Sequence, residues 1–309
     1  MVVSEEFKRL KESSNETLEY LRGRLRFDIG KHQRTKLKVL GELQERTLLS
    51  KSVAEQHANR LAQQFRRRWG LLSKREMSER LRFITVLSEL VELNLDDTDG
   101  AVKRMFSKLE GALRQVRGIQ VIGAAEIEVV NVDKMITMAS VADESRKLDV
   151  VLAMIPSEEK SLYKTGVVSY ALVHFHGVID LGVNGEEKSE KLSKALRQWW
   201  SERYSVEVKS LYSTKTVREN LTDIAAYLTK GGNESLIYKI GFGYDDEDKI
   251  ARQMLKAGKS KKEADYEGIE NEMSLTIAEI EFLGRAIDRL MDRKGSKNMR
   301  NGYLFKWKF

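Results

Sequence analysis

The chain has 309 residues, 41% of them hydrophobic, enough for one large core with a smaller satellite or for two or three small domains. It has no cysteine, which excludes disulfides, thiolate catalysis and cysteine-ligated zinc and fits a cytoplasmic protein; no apolar run is long enough to span a bilayer, and the first residues lack the apolar segment of a secretory signal. The net charge of +7 is uneven: residues 1–80 carry 19 Lys/Arg against 11 Asp/Glu, which suggests either a polyanionic partner such as nucleic acid or a solvated helical surface.

Residues 4–75 are expected to be helical. The clearest piece is Ser52 to Trp69, where Val53, His57, Leu61, Phe65 and Trp69 recur every fourth position as one apolar stripe. His57 lies on that stripe and reads as packed rather than ligating. Arg66, Arg67 and Arg68 close the segment before Gly70. Cations there complement a helix C-terminus; they are also candidates for contact with a DNA backbone. Arg82 to Val91 reads as a strand. A helix follows, with Asp96 to Asp99 supplying acidic N-terminal chemistry and Val102, Met105, Phe106, Leu109 and Leu113 on one face.

A second strand, IQVIGAAEIEVV, carries Glu126 and Glu128 two positions apart and so on one face. Carboxylates on so apolar a strand point either to a wet face or to a metal ligand. Residues 131–166 are expected to hold another strand, Leu148 to Ile155, ahead of the only proline, Pro156. Next comes Val167 to Leu181, rich in β-branched and aromatic residues and closed by glycines. Its alternation puts His174 and His176 on one face, with Val173 and Phe175 on the other. Two imidazoles side by side on a rigid strand can hold one divalent cation.

Glu187 to Tyr204 reads as an amphipathic helix with Leu192, Leu196, Trp199 and Trp200, and Tyr204 to Tyr212 as a strand. The segment TVRENLTDIAAYLTKGG is a helix ended by Gly231 and Gly232, and Tyr227 and Lys230 lie three apart on one side of it. Lys262 to Arg293 is a long candidate helix. The closing NGYLFKWKF is basic and aromatic, fit to stack on bases or to dock on the core.

Taken together, a carboxylate-bearing strand, a His-x-His strand and a helix with Tyr-x-x-Lys resemble the HUH endonucleases, and most closely the rolling-circle replication initiators of plasmids and small viruses. The resemblance covers roughly residues 80–232 and rests on RFITVLSEL, VIGAAEIEVVN, VHFHGVI and AAYLTKG. It implies an α+β fold of HUH, RRM-like type: a mainly antiparallel sheet, the histidines on a central strand, and helices on one face. It also implies a catalytic domain at 79–240, between a basic helical region at 1–78 and a helical region at 241–309.

The resemblance implies that His174, His176 and a glutamate hold Mn²⁺ or Mg²⁺. Glu128 is favoured, because EVVN better matches the family's strand ending, and Glu126 is second. Tyr227 would be the nucleophile and Lys230 a stabiliser of the phenolate or the developing phosphorane. The implied partners are single-stranded or locally melted origin DNA and a host helicase or polymerase, with no membrane. A single-tyrosine transposase of the same superfamily usually carries Gln one turn after its tyrosine, where this chain has Gly231. A non-catalytic DNA-binding or partner-loading protein, and an unrelated metal site such as an oxygenase or isomerase, are the readings from other classes.

Overall fold

The computed structural model describes residues 47–135, 146–155, 169–229, 275–292 and 304–308. Three long strands form its frame: β1 (Leu81–Glu92), β2 (Gln120–Asn131) and β3 (Ser169–Asp180). Two short strands, β4 (Val206–Ser210) and β5 (Leu304–Lys308), lie at the edges. Every pairing is antiparallel and the order is β4-β1-β3-β2-β5, so the histidine strand β3 is central. The protein is of the α+β class, an open sheet clad in helices.

The helices are α1 (Lys51–Trp69), α2 (Lys74–Arg80), α3 (Leu95–Leu113), α4 (Arg146–Met154), α5 (Gly185–Arg197), α6 (Val217–Leu228) and α7 (Ile277–Asp292). They cover both faces of the sheet, not one as expected. β3 is buried along its whole length after Ser169, and a strand buried on both sides needs cover on both. On the Phe175 face, Phe106 of α3 meets the Phe175 ring edge-on and stacks on Phe305 of β5 at 5.4 Å. On the histidine face, α6 and α1 pack over one end of the sheet. α4 covers the other, where Val151 and Ile155 cluster with Tyr170, Leu172 and Val130.

The run 148–154 is therefore helical, contrary to the expected strand. Leu148, Val151, Leu152 and Ile155 fall at a spacing of three and four and share the cluster with β2 and β3. A short apolar run does not reveal its own period; the surface it packs on decides. The second difference is a strand in the tail, within the region 241–309 expected to be helical. Leu304 to Lys308 pairs with Gln120 to Ala124 as an edge strand, and Phe305 and Trp307 are buried. Docking on the core is the outcome, with Arg114 over the Trp307 ring at 5.8 Å. Trp199 and Trp200 lie just beyond the end of α5, not within it.

α1 belongs to the same core as the sheet. Leu61, Phe65 and Trp69, from the stripe at every fourth position, are essentially inaccessible, and Trp69 stacks on Phe65 at 5.5 Å. Removing such a ring costs about 3–5 kcal/mol. The Trp69 indole donates to Asp180 Oδ2 (3.1 Å) at the end of β3, and Arg80 grips both oxygens of the same carboxylate at 3.2 and 2.8 Å. The far end of the histidine strand is thus tied to α1 and α2. Described parts of α7 and β5 join this core too. Among the described residues no helix is long and apolar enough to cross a membrane.

Two local features shape the middle of the sheet. The Phe175 ring lies across Gly123 and Gly177; a Cβ on Gly123 would come within 2.3 Å of that ring, so the backbone there must be bare. Opposite His174, β1 carries a bulge between Leu87 and Glu89. The extra residue sends Ser88 to the Trp200 indole and Glu89 to Arg104 and Lys108, all on the Phe175 side. Leu87 and Leu90 both stay on the histidine side, facing His174 and Leu172.

Candidate metal centre

The centre forms on the histidine face of β3, between the α4 cover and the α6–α1 cover. His174 and His176 alternate onto this face with ring centroids 4.8 Å apart. β2 aligns Glu126 directly against His174, and its Oε2 lies 3.5 Å from Nε2 of both imidazoles. These three donor atoms all fall within 4.8 Å of one another. Ligands at about 2.1 Å from a shared ion sit roughly 3–3.5 Å apart, so the cluster needs little adjustment to close on a cation.

Glu128, the favoured ligand in the sequence, is not part of the cluster. It is buried on the same face but is paired with Leu172, two residues further along the ladder. The geometry thus brings Glu126, the second choice in the sequence, to the two histidines and leaves Glu128 outside the cluster. Side-chain alternation treats the two alike, and only the register against β3 separates them.

The site has the chemistry of a cation binder. His174 Nε2 is buried and makes no hydrogen bond, and an imidazole nitrogen so placed is one a metal ion would satisfy. Both imidazoles are almost fully shielded, while the Glu126 side chain keeps about 20% of its surface. Two imidazoles and one carboxylate suit borderline divalent ions. The triad can therefore hold a metal ion.

Around the triad, β1 supplies two residues that the sequence did not single out. Thr85 pairs with His176 across the strands, its Oγ1 lying 3.0 Å from Nδ1. Phe83, two residues earlier on the same face, lies nearly parallel to the His176 ring at 5.8 Å. Both lie in RFITVLSEL, so the signal for them was present. What alternation lacks is the strand pairing that turns two outward residues into neighbours of His176.

α6 brings Tyr227 to the same place. A capping box of Thr216 and Glu219 starts the helix, and buried Asn220 ties it to the loop after β4 through the Tyr212 backbone. Leu221, Ala225 and Leu228 bury its inner stripe. Tyr227 then faces the sheet half-buried, its hydroxyl 3.4 Å from His176 Nε2 and its ring edge-on to both Phe83 (5.9 Å) and His176 (5.0 Å). Lys230, the expected partner of Tyr227, lies outside the described residues, as do Gly231 and Gly232.

Arg66, Arg67 and Arg68 occupy the exposed last turn of α1. Arg66 donates to Thr222 Oγ1 of α6 at 2.8 Å, so the arginine turn is joined to the helix that carries Tyr227, though not to the triad itself.

The class these features define is an α+β open-sheet protein with a two-histidine, one-carboxylate cluster beside a phenol. No family model, no curated protein and no solved structure matches the chain.

Proposed function

We propose that this chain is a metal-dependent single-strand DNA nicking and joining enzyme of the HUH type, working as an initiator of rolling-circle replication. The observation that carries the reading is the approach of a helix-borne phenol, Tyr227, to within 3.4 Å of an imidazole in a Glu-His-His cluster. Such a cluster alone also suits oxygen-activating iron. A phenol held at its rim on a separate element favours nucleophilic attack on a phosphodiester instead.

In this reading Glu126, His174 and His176 hold Mn²⁺ or Mg²⁺. The bound cation supplies Lewis-acid polarisation of the scissile phosphate. The Tyr227 oxygen attacks phosphorus in line, an O–P bond to tyrosine forms and the bond to the 3′-oxygen breaks. The phenol proton is lost and the departing 3′-oxygen takes up a proton, giving a 5′-phosphotyrosine and a free 3′-hydroxyl. Reversal with a second 3′-hydroxyl rejoins strands. Phe83 and the His176 ring orient the phenol, and single-stranded or locally melted DNA is the substrate because in-line attack needs an open backbone. Lys230 stabilises the developing negative charge, a host helicase separates the strands, and a host polymerase extends the freed 3′ end.

Incubation of the purified chain and Mn²⁺ with a pool of 3′-labelled single-stranded oligonucleotides tests this. The label should migrate with the protein under denaturing conditions, and a tryptic peptide containing Tyr227 should carry the nucleotide mass. Tyr227→Phe should abolish attachment and leave metal binding intact. An adduct on Tyr227→Phe would name another nucleophile, and mobility shifts without any adduct would favour the non-catalytic binder.

A further inference from the structure

His176 is the point where the reactive groups meet, and its two ring nitrogens face different neighbours. Nε2 points at Glu126 Oε2 (3.5 Å) and at the Tyr227 hydroxyl (3.4 Å). Nδ1 points the other way, at Thr85 Oγ1, 3.0 Å distant across the β1–β3 ladder. His176 is 5% exposed, so water is a poor substitute for either neighbour. His174, by contrast, stands opposite Leu87, which offers no side-chain polar group.

A neutral imidazole carries one proton. If Nε2 is to give its lone pair to a cation, the proton must sit on Nδ1, and a buried Nδ1–H needs an acceptor. A hydroxyl can take that role with one of its lone pairs. Outer hydrogen bonds of this kind fix both the tautomer and the ring plane of a ligating histidine. We infer that Thr85 is the positioning residue of the metal centre: it accepts the His176 Nδ1–H and so holds Nε2 as the ligand atom toward Glu126. The inference rests on the metal-binding part of the reading above and not on DNA cleavage.

The side chain does a second thing by its place. β1 is pinned between β3 and β4, with Thr85 paired to His176 on one side and to Glu207 on the other. A hydroxyl anchored in the middle of three strands has little freedom to turn away. The ring it holds is therefore set by the sheet and not by the ion, so the cation meets a prearranged ligand.

The test is metal binding by Thr85→Val and Thr85→Ser, read without any DNA. Titration with Zn²⁺ or Mn²⁺ should show Thr85→Val weakened by about 10–100-fold, the usual effect of losing such an outer partner. Thr85→Ser, which keeps the hydroxyl, should retain most of the affinity, and the metal-free thermal midpoints of the two should be alike. Nitrogen-15 NMR of the Zn²⁺-loaded wild type should place the His176 proton on Nδ1. Should Thr85→Val fail to fold, Thr85→Ala against Thr85→Ser gives the same comparison. Wild-type affinity in Thr85→Val, an equal loss in Thr85→Ser, or a proton on Nε2 in the loaded protein overturns the inference. A wild type that binds no divalent ion removes it together with the metal centre, whereas one that binds metal but never nicks DNA leaves it standing.

Discussion

The Tyr227 hydroxyl lies 3.4 Å from Nε2 of His176, although 51 residues separate them and they sit on a helix and a strand. Phe83 makes that approach specific: its ring is nearly parallel to His176 and edge-on to Tyr227. Phe83→Ala should loosen the phenol while leaving the triad assembled. The expected result is a drop in the rate of adduct formation of about 10–100-fold, in keeping with the cost of a small misplacement. Metal affinity should stay close to that of the wild type. Equal losses in both would mean that Phe83 supports the whole sheet face.

The two glutamates of β2 separate cleanly in a metal titration. Glu126→Gln should lose affinity by more than the roughly 10–100-fold of an outer partner, because it removes a ligand charge. Glu128→Gln should fall within that range or below it, since the residue pairs with Leu172 and lies outside the Glu126-His174-His176 cluster. The reverse ranking would require β2 to slide along β3 in solution.

Removing residues 1–75 is a poor test of the basic N-terminal region, since it takes Phe65 and Trp69 out of the core. Replacing Arg66, Arg67 and Arg68 together by alanine leaves the buried stripe intact. If all three contact phosphates, the dependence of log affinity for single-stranded DNA on log salt should become shallower by about 2. An unchanged slope would assign these arginines to the solvated end of α1.

His57 makes a prediction about acid stability. Burial holds its pKa below the usual imidazole value of 6.5, with Arg60 adding to the effect. The unfolded chain therefore binds the proton more readily than the folded one. Stability from this group is complete above pH 6.5 and is lost as pH falls toward the lower folded value. Urea unfolding at stepped pH should show wild type losing more stability below pH 6.5 than His57→Leu. Parallel curves would show that the imidazole protonates without penalty.

Much of the scaffold was legible in the chain. The stripe at every fourth position marked α1, and alternation put His174 and His176 on one face, because those periods are set by backbone geometry. Other segments were not legible, for the same kind of reason. Leu148 to Ile155 is too short and too uniformly apolar to reveal a period, and the tail around Phe305 had no partner in view until β2 offered an edge. Helices on the second face could not be counted from β3 either, since a run buried throughout has no wet side to report.

The sequence by itself determined the chemical inventory: two imidazoles side by side, carboxylates on a separate strand, and a phenol late on a helix. Tertiary structure alone decided who meets whom. Glu126 and Glu128 share a face under alternation, and a shift of two residues along β3, about 7 Å, separates a carboxylate against His174 from one against Leu172. Thr85 and Tyr227 reach His176 by the same logic, one through strand register and the other through the seat of α6 on α1. Local periodicity carries no information about either, because both are set by how separate elements pack.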